Sequence, residues 1–413
     1  MERLRRCRPR VASQSASPPR QQYSLRRRAR RFGGRSVRIA FFSDTHLGHR
    51  KFTKLDENGL NVREVDVMQT FRRFLDSIEK RDPDVILHGG DFFDVVRPSN
   101  LTLSHALQSL MKLQEKRGGR PFVVVGGNHE MPKVRGTGCA LQLYNEVIPG
   151  FKAVYGDPEA VSLGEGHVLH CVPSSRVGDW EDLRKREKGT MLLMHGLIDG
   201  IEHGRPDLSP AKIEREYEFA FLGDYHLHQA IRDTVVYVGS TDYVATNFWK
   251  ECGTPKGWME VDTEDWKWTF HEVKPARRAL DLPSIDASDM TLDEVGEAML
   301  EQLAAALKSL DDDNPPIVRQ VIVNAWPDLR REVPFTILQE CRRQCLDYDL
   351  VTRAVSTKET QSATPERPRG QTLAMRWEEF AKEYEIPEDV NREGIVRTGE
   401  DYISEARRTS GED

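Results

Sequence analysis

Short apolar runs alternate with longer amphipathic stretches between residues 37 and 273. The run Val37–Phe42 is almost wholly apolar, which is typical of a buried strand, whereas Phe71, Phe74 and Ile78 recur at helical spacing. This alternation predicts an α/β core in which functional loops leave the strand ends. Later predicted strands are Asp84–Leu87, Pro121–Val125, Val168–Val172, Met191–Met194, Phe219–Leu222 and Thr234–Val238.

The pattern changes after residue 275, where prolines and polar residues over 275–284 predict a linker. We predict a tail (1–36), a main domain (37–275), a small α/β domain (286–357) and a C-terminal segment (358–413). The small domain is predicted to contain helix Leu292–Leu310, strand Ile317–Ala325, helix Pro334–Leu346 and strand Leu350–Val355. In the C-terminal segment, an amphipathic patch either docks on a partner's helices or folds back on its own core. Its residues are Trp377, Phe380, Ala381 and Tyr384.

Charge is distributed unevenly along the 413 residues. Residues 1–38 contain thirteen arginines and one acid, so the rest of the chain carries 47 basic and 65 acidic side chains. The tail is expected to be disordered, with a nucleic-acid arm, a transit peptide or a translation start near Val37 as alternatives. The acidic remainder argues against a broad cationic DNA surface.

Two further features of the sequence bear on the cellular location of the protein. No apolar run of about 18 residues occurs, so no membrane span is expected. The six cysteines lack a zinc-type spacing, which favours a reduced, cytoplasmic protein.

Polar tips follow five of the apolar runs, and each tip offers oxygen or imidazole ligands. The tips are Asp44-Thr45-His46, Gly90-Asp91, Gly127-Asn128-His129, Met194-His195-Gly196 and His226-Leu227-His228. Taken singly, each has an ordinary explanation as a tight turn, a surface pair or a core histidine. As five tips in one order, they predict a two-metal phosphoesterase site, because two divalent ions can mask phosphate charge and activate water.

Spacing suggests how the ligands are arranged. Asp44 and His46 lie at i and i+2 on an extended tip, as do His226 and His228, so each pair should point the same way. Asp91 follows a Gly-Gly pair that permits close backbone approach, which makes it the candidate bridging carboxylate. Carboxylate, imidazole and amide ligands suit manganese, iron or zinc.

This order of motifs resembles the calcineurin-like metallophosphoesterase superfamily. Ser43–Gly48, Arg63-x-x-Asp66, Gly90–Asp94 and Val238–Ser240 further resemble its SbcD-type DNA double-strand-break repair exonuclease subunits. The resemblance covers residues 37–275, and more weakly 286–357 as a capping domain. It implies a sandwich of two β-sheets flanked by helices.

The resemblance also implies roles for the tip residues. One metal would be held by Asp44, His46, Asp91 and His228. The second would be held by Asp91, Asn128, His195 and His226. His129 would donate a proton to the departing oxygen or steady the transition state. The implied metal is manganese, the substrate DNA, and the partners an SMC-like (SbcC-type) ATPase and a second copy of the chain.

The sequence departs from the family's Gly-His-x-His pattern at one place. Asp224 and Tyr225 separate Gly223 from His226, which we interpret as an approach loop two residues longer, with both histidines kept as ligands. Asp224 could instead orient a histidine from outside the ligand set. Asp94 and His49 have the same alternative.

Two other functions compete with the nuclease. A phosphoprotein phosphatase or small-molecule phosphodiesterase would keep the chemistry, and Glu130 after Asn128-His129 leans that way. The Asp-Arg-Gly of protein phosphatases is absent, since Asp94 is followed by Val95-Val96-Arg97. A non-catalytic scaffold is disfavoured because all the metal-type positions and His129 are intact.

Overall fold

The structure, a computed structural model, describes residues 36–132, 137–164, 166–181, 190–205, 208–310, 314–354, 377 and 391–410. In this part of the chain, the strands follow one another as β1 (Arg38–Phe42), β2 (Val85–His88), β3 (Phe122–Val125), β4 (Phe151–Val154), β5 (Glu159–Gly164), β6 (His167–Val172), β7 (Met191–His195), β8 (Phe219–Gly223), β9 (Gln229–Arg232), β10 (Val235–Tyr237), β11 (Gly257–Asp262), β12 (Trp268–Glu272), β13 (Ala279–Asp281), β14 (Ile285–Asp286), β15 (Ile317–Ala325) and β16 (Asp347–Ala354).

The α-helices are α1 (Val62–Arg81), α2 (Asn100–Lys116), α3 (Ala140–Val147), α4 (Pro210–Glu216), α5 (Leu292–Lys308), α6 (Leu329–Glu332), α7 (Phe335–Arg343) and α8 (Arg392–Ser410). Local sequence explains where the longer ones begin. The side chain of Asn61 accepts hydrogen bonds from the first amides of α1, and that of Ser99 does the same for α2. Such caps satisfy amides that have no partner within the helix.

Two six-stranded sheets form the body of the protein. Their strand orders are β12-β11-β1-β2-β3-β4 and β5-β6-β7-β8-β10-β9. Alternate residues of the central strands, such as Ile39 and Phe41 from β1 and Phe219 and Phe221 from β8, meet in one buried cluster between the sheets. Helices α1, α2 and α3 cover the other face of the first sheet, and α4 lies against the second. This confirms the predicted sandwich of two sheets flanked by helices.

Strands buried on both faces explain why the sequence signal was clear for the centre of each sheet. In β1, Ala40 and Phe42 pack beneath α1 while Ile39 and Phe41 face the second sheet, so the whole run is apolar. Strands β4, β5, β9, β11 and β12 were not predicted. Four of them lie at sheet edges, and β11 reaches β1 only through an antiparallel pairing with a distant part of the chain.

A third sheet builds the small C-terminal unit. Strand β15 pairs with β13 and β14 on one side and with β16 on the other, and α5, α6 and α7 pack around it on a cluster of its own. The helices and strands predicted within 286–357 are present with small shifts at their ends. The predicted linker 275–284 contains β13, which is too short to show a pattern in the sequence.

Buried ion pairs join this unit to the main body. Arg63 donates to Asp66 (3.0 Å) and to Asp242 (2.8 Å), and Asp66 also accepts from Arg277 Nε (2.7 Å) just before β13. Arg63, Asp66 and Arg277 are each at most 6% exposed. Removing one member would leave buried charge without its partner, so the Arg63-x-x-Asp66 motif has a structural role in fixing α1 to the start of the small unit.

Several predictions fall on parts of the chain outside the described residues. These are the tail over residues 1–35 and, within the amphipathic patch, Phe380, Ala381 and Tyr384. Trp377 is described, and its Nε1 donates to the Val396 carbonyl of α8 (3.0 Å). Among the described helices, none is both long enough and apolar enough to cross a membrane.

Candidate metal centre

The predicted tips meet at one end of the two facing sheets. Asp44 follows β1, Asp91 follows β2, Asn128 follows β3, and His195 is the last residue of β7. Backbone bonds tie the first two tips together: the Asp44 amide donates to the Gly90 carbonyl (3.0 Å) and the His46 amide to the Asp91 carbonyl (2.9 Å). Because the parallel strands end at the same edge, residues far apart in sequence become neighbours.

Glycines permit this close approach. Gly90 has φ +100°, and a Cβ there would collide with the His195 ring. A Cβ at Gly127 would collide with the Asp91 carboxylate. The Gly-Gly-Asp and Gly-Asn-His sequences are therefore required by packing against the two side chains at the centre of the site.

Backbone strain is concentrated at the same place. Nine described residues other than glycine have positive φ, and four of them are Asp44 (53°), His46 (45°), Asp91 (49°) and Asp224 (93°). Such a conformation costs about 1–3 kcal/mol per residue and persists where the surrounding structure imposes it. The fold thus holds these four side chains in positions that the local sequence would not adopt alone.

Three overlapping groups of side chains could each hold a divalent ion. Within each group the potential ligand atoms all lie within 4.8 Å of one another. The groups are Asp44, His46 and His226; His46, Asp91 and His129; and Asp44, Asp91 and His195. Asp44, His46, Asp91 and His195 are each at most 2% exposed. A buried set of carboxylates and imidazoles fits two neighbouring divalent cations that share ligands.

The histidines of the cluster all present Nε2 to its centre and are held from outside through Nδ1. His195 Nδ1 donates to the Gly89 carbonyl (2.7 Å), and His46 Nδ1 lies 3.1 Å from Asp94 Oδ1. His226 Nδ1 faces Glu251 Oε1 at 3.5 Å. An outer oxygen on Nδ1 fixes the ring and leaves the Nε2 lone pair for a cation.

Inner distances are short. His46 Nε2 is 3.3 Å from His226 Nε2 and 3.6 Å from Asp91 Oδ2. His195 Nε2 is 3.0 Å from Asn128 Oδ1 and 3.4 Å from Asp91 Oδ2. Lone pairs of nitrogen and oxygen that face each other at these distances require a proton or a cation between them.

Electrostatics in the metal-free protein agree with this requirement. Burial opposes a charge on either group, but Asp91 and His195 stabilise each other, so the pKa of Asp91 is far below its ordinary value and the pKa of His195 is well above its own. Burial lowers the pKa of His46. Cation binding at His195 therefore displaces a proton, and metal affinity should weaken as pH falls.

His129 lies at the rim of the cluster. Its amide donates to Asp91 Oδ1 (2.9 Å) and its Nδ1 to the Asp94 carbonyl (2.9 Å), while 43% of its side chain is exposed. Its Nε2 is 4.0 Å from Asp91 Oδ2. The ring is thus fixed on one side and faces the opening of the site on the other.

The structure differs from the sequence interpretation at the last tip. His228 is in none of the three groups: its Nδ1 lies 3.1 Å from the Tyr237 carbonyl and its ring stacks on Phe270 at 4.3 Å. The side chains that reach the cluster at i and i+2 are those of Asp224 and His226. The Asp224 amide donates to the Asp44 carboxylate (3.1 Å). Asp224 therefore lies at the edge of the cluster and not in an inserted approach loop.

Two residues that orient the cluster carried little or no signal in the sequence. Asp94 Oδ1 accepts from both His46 and His49, each at 3.1 Å. From the sequence, such an orienting role was one of two alternatives for Asp94. Glu251, buried behind His226, also pairs with Lys256 at 2.5 Å. Burial opposes the charge of Glu251, but Lys256 and His226 together outweigh this effect and lower the pKa of Glu251 to about 2. Nothing in the sequence near Glu251 marks it, since the histidine that it faces is 25 residues away, on another loop.

Glu130 is buried directly behind the cluster. Its Oε1 accepts the Gly127 amide (2.8 Å), whereas its Oε2 has no hydrogen-bond partner. Burial and the negative charge of Asp91 raise the pKa of Glu130 from 4.5 to about 8. Its contribution to stability is therefore complete below pH 4.5 and is lost as pH rises through about 8, because the unfolded chain releases the proton first.

Glu130→Gln, which mimics the protonated acid, should make the metal-free protein less sensitive to this rise in pH. We expect its free energy of unfolding, relative to the wild type, to improve by on the order of 3–4 kcal/mol between pH 5 and pH 8. Urea denaturation in EDTA at both pH values measures it. An equal difference at the two pH values would show that Glu130 is ionised in the folded protein.

The match to a known protein family covers the part of the chain that builds the cluster. Residues 37–253, more than half of the chain, match the calcineurin-like phosphoesterase family. This stretch begins at β1 and ends after β10, so it contains every residue of the cluster.

Curated relatives carry the name DNA double-strand break repair protein Mre11. The protein of Sulfurisphaera tokodaii is 29% identical over 204 residues, which are 48% of this chain and 50% of the relative. That of Sulfolobus acidocaldarius is 24% identical over 348 residues, 79% and 86% of the two chains. That of Methanocaldococcus jannaschii is 27% identical over 238 residues, 53% and 61% of the two chains. The chain thus spans only half to six-tenths of two of these three relatives.

Among solved structures, a protein of unknown function from Aquifex aeolicus aligns with 44% of this chain at a TM-score of 0.23 and 18% identity, covering 87% of that protein. Family membership rests instead on the match over residues 37–253, the stretch that contains the clustered ligands. The chain belongs to the calcineurin-like phosphoesterase family.

Proposed function

We propose that the protein is a two-metal-dependent DNA nuclease that hydrolyses phosphodiester bonds, as exonuclease and endonuclease, in DNA repair or recombination. The observation that carries the proposal is the meeting of Asp44, His46, Asp91, Asn128 and His195 around one buried point with His129 at its open rim. The similarity to Mre11 proteins, which extends over 79% of this chain in one relative, supports DNA as the substrate.

The ligand assignment follows the distances. One cation would be held by Asp44, His46, Asp91 and His226, and the other by Asp91, Asn128 and His195. His226 thus takes the place for which the sequence suggested His228. When bound, two such cations mask the charge of the phosphodiester, lower the pKa of water and stabilise the departing oxygen. Manganese suits this mixture of oxygen and imidazole ligands.

His129 has the position of a proton donor. With Nδ1 fixed on the Asp94 carbonyl, the remaining ring nitrogen is Nε2, which lies 4.0 Å from Asp91 Oδ2 at the exposed rim of the cluster, next to where a scissile phosphate would lie. A protonated Nε2 donates to the departing oxygen or to a phosphate oxygen in the transition state. The hydrogen bond from the His129 amide to Asp91 Oδ1 keeps the ring beside the carboxylate that both cations would share.

Two partners are part of the proposal. An SMC-like (SbcC-type) ATPase is the partner expected from the resemblance, and the C-terminal segment around Trp377 and α8 would be the site where it docks. The proposed location of the protein is the cytoplasm. A homodimer is supported by four large apolar side chains on α2 and α3 that are 40–47% exposed. They are Leu101, Met111, Leu143 and Val147.

The substrate is tested with three competing phosphoesters. The purified full-length protein should degrade linear double-stranded DNA in the presence of Mn²⁺, lose this activity in EDTA, and leave a phosphopeptide and a cyclic nucleotide intact. Faster release of phosphate from the phosphopeptide would instead favour the phosphatase. Hydrolysis of none of the three, with both Mn²⁺ ions bound, would favour the non-catalytic scaffold.

A further inference from the structure

We propose that Asp224 is a ligand of the second cation, so that this cation is bound by three oxygen ligands and one imidazole. The inference rests on the proposed two-cation site and completes its second half, for which only Asp91, Asn128 and His195 have been assigned. It concerns a side chain that the sequence interpretation placed in an inserted loop.

The position of Asp224 is fixed by the fold. It is the first residue after β8, and its amide donates to both oxygens of the Asp44 carboxylate (3.1 and 3.3 Å). Gly223, just before it, packs so closely on Gly89 and Ser43 that no Cβ could be accommodated there. Strand β8 therefore delivers Asp224 directly to the edge of the cluster, with its side chain 29% exposed.

His195 shows where a cation would have to lie. Its Nδ1 donates to the Gly89 carbonyl, so in the neutral ring Nε2 carries the lone pair. Around Nε2 lie three oxygens: Asn128 Oδ1 at 3.0 Å, Asp91 Oδ2 at 3.4 Å and Asp224 Oδ1 at 3.7 Å. Three acceptors around one lone pair repel one another unless a positive centre lies between them.

These spacings match a coordination shell. Ligands about 2.1 Å from a common ion, at angles of 90–120°, are about 3.0–3.6 Å apart. The Asn128 and Asp91 oxygens are within this range of His195 Nε2, and the Asp224 oxygen lies just beyond it. Asp224 is in none of the groups whose ligand atoms all lie within 4.8 Å, so a small rotation of its carboxylate must accompany binding.

Charge gives the second reason. The carboxylates of Asp44, Asp91 and Asp224 converge on one point. The charge of Lys256, on the other side of His226, is already balanced by Glu251. Three carboxylates against two dications leave the site at about +1, compared with about +2 if Asp224 took no part. A third carboxylate thus binds the cations more tightly and still leaves a positive site for phosphate.

The two halves of the site then differ in chemistry. The first cation would be bound by two imidazoles, those of His46 and His226, and the second by the imidazole of His195 alone among oxygens. Oxygen ligands favour Mn²⁺ and Mg²⁺, while imidazole suits Zn²⁺. The second half should therefore discriminate more strongly against zinc.

Titration of the metal-free, full-length protein with Mn²⁺ by calorimetry and electron paramagnetic resonance tests the inference. The wild type should bind two equivalents. In Asp224→Gly, which tolerates the φ of +93°, the affinity for the second Mn²⁺ should fall at least about tenfold while the first is kept. Asp233→Gly, in the turn at the far end of β10, is the matched control and should behave as the wild type.

Asp224→His separates a ligand from a residue that only orients its neighbours. It should keep two equivalents but shift the preference of the second half from Mn²⁺ towards Zn²⁺ by at least about tenfold. Thermal unfolding in EDTA checks that both variants fold. Wild-type Mn²⁺ affinities in Asp224→Gly, or loss of the second equivalent in Asp224→His without a shift to zinc, would overturn the inference alone. Fewer than two equivalents in the wild type would overturn the two-cation site and this inference with it.

Discussion

Replacement of His129 by asparagine should slow Mn²⁺-dependent DNA hydrolysis by about 10²- to 10⁴-fold, the usual contribution of a positioned acid or base. Binding of both Mn²⁺ ions should stay within about twofold of the wild type, because 43% of the His129 side chain is exposed and its Nδ1 is engaged by the Asp94 carbonyl rather than by a ligand. Single-turnover rates on linear DNA and calorimetric Mn²⁺ titration measure the two quantities separately.

His203→Asn is the matched control, since His203 is 85% exposed and lies outside the cluster. It should change neither quantity. The result that would contradict the assignment is loss of one Mn²⁺ equivalent in His129→Asn. His129 forms a potential ligand group with His46 and Asp91, so that outcome would make it a metal ligand instead of a proton donor.

Most of the cluster could be predicted from the sequence, because its residues directly follow strands with a strong local signal. Asp44, Asp91 and Asn128 follow parallel strands of one sheet, which finish at the same edge, and His195 ends a strand of the facing sheet. The order of the tips was therefore enough to predict that these four side chains meet. The glycines at 90 and 127 confirm the same point, since their neighbours leave no space for a side chain.

The last tip shows what local pattern cannot decide. Asp224, His226 and His228 alternate, so spacing alone allows either the first pair or the second to face the metals. The choice depends on where β8 ends, which is set by packing of Gly223 on Gly89 and by the bond from the Asp224 amide to Asp44, 180 residues away. Contacts of that sequence separation have no signature in the residues around them.

The orienting oxygens were hidden for the same reason. Each histidine of the cluster is held by an oxygen from another segment: Asp94 for His46, the Gly89 carbonyl for His195, and Glu251 for His226. These oxygens fix which nitrogen carries the proton and so prepare Nε2 for a cation. The sequence predicts the ligands, while the fold supplies the groups that make them usable.

Asp91→Asn should abolish DNA hydrolysis with every divalent cation, by at least about 10³-fold, because several kcal/mol of charge stabilisation depend on the shared carboxylate. Asp91 belongs to two of the three potential ligand groups, and its Oδ2 lies within 3.6 Å of both His46 Nε2 and His195 Nε2. Asparagine keeps the oxygen that accepts the His129 amide, so the fold of the tip should survive. Rates with Mn²⁺, Mg²⁺ and Zn²⁺, together with Mn²⁺ titration, measure the effect.

Asp94→Asn provides the graded comparison, since the Asp94 carboxylate orients His46 and His49 from outside the ligand groups, and its backbone carbonyl, which holds His129, is kept in the variant. Loss of such an orienting contact should cost about 10- to 100-fold, so the activities should rank as wild type, Asp94→Asn and then Asp91→Asn. Half the wild-type rate in Asp91→Asn would rule out a bridging carboxylate. An equal loss in both variants would mean that the orientation of His46, rather than a shared ligand, limits the chemistry.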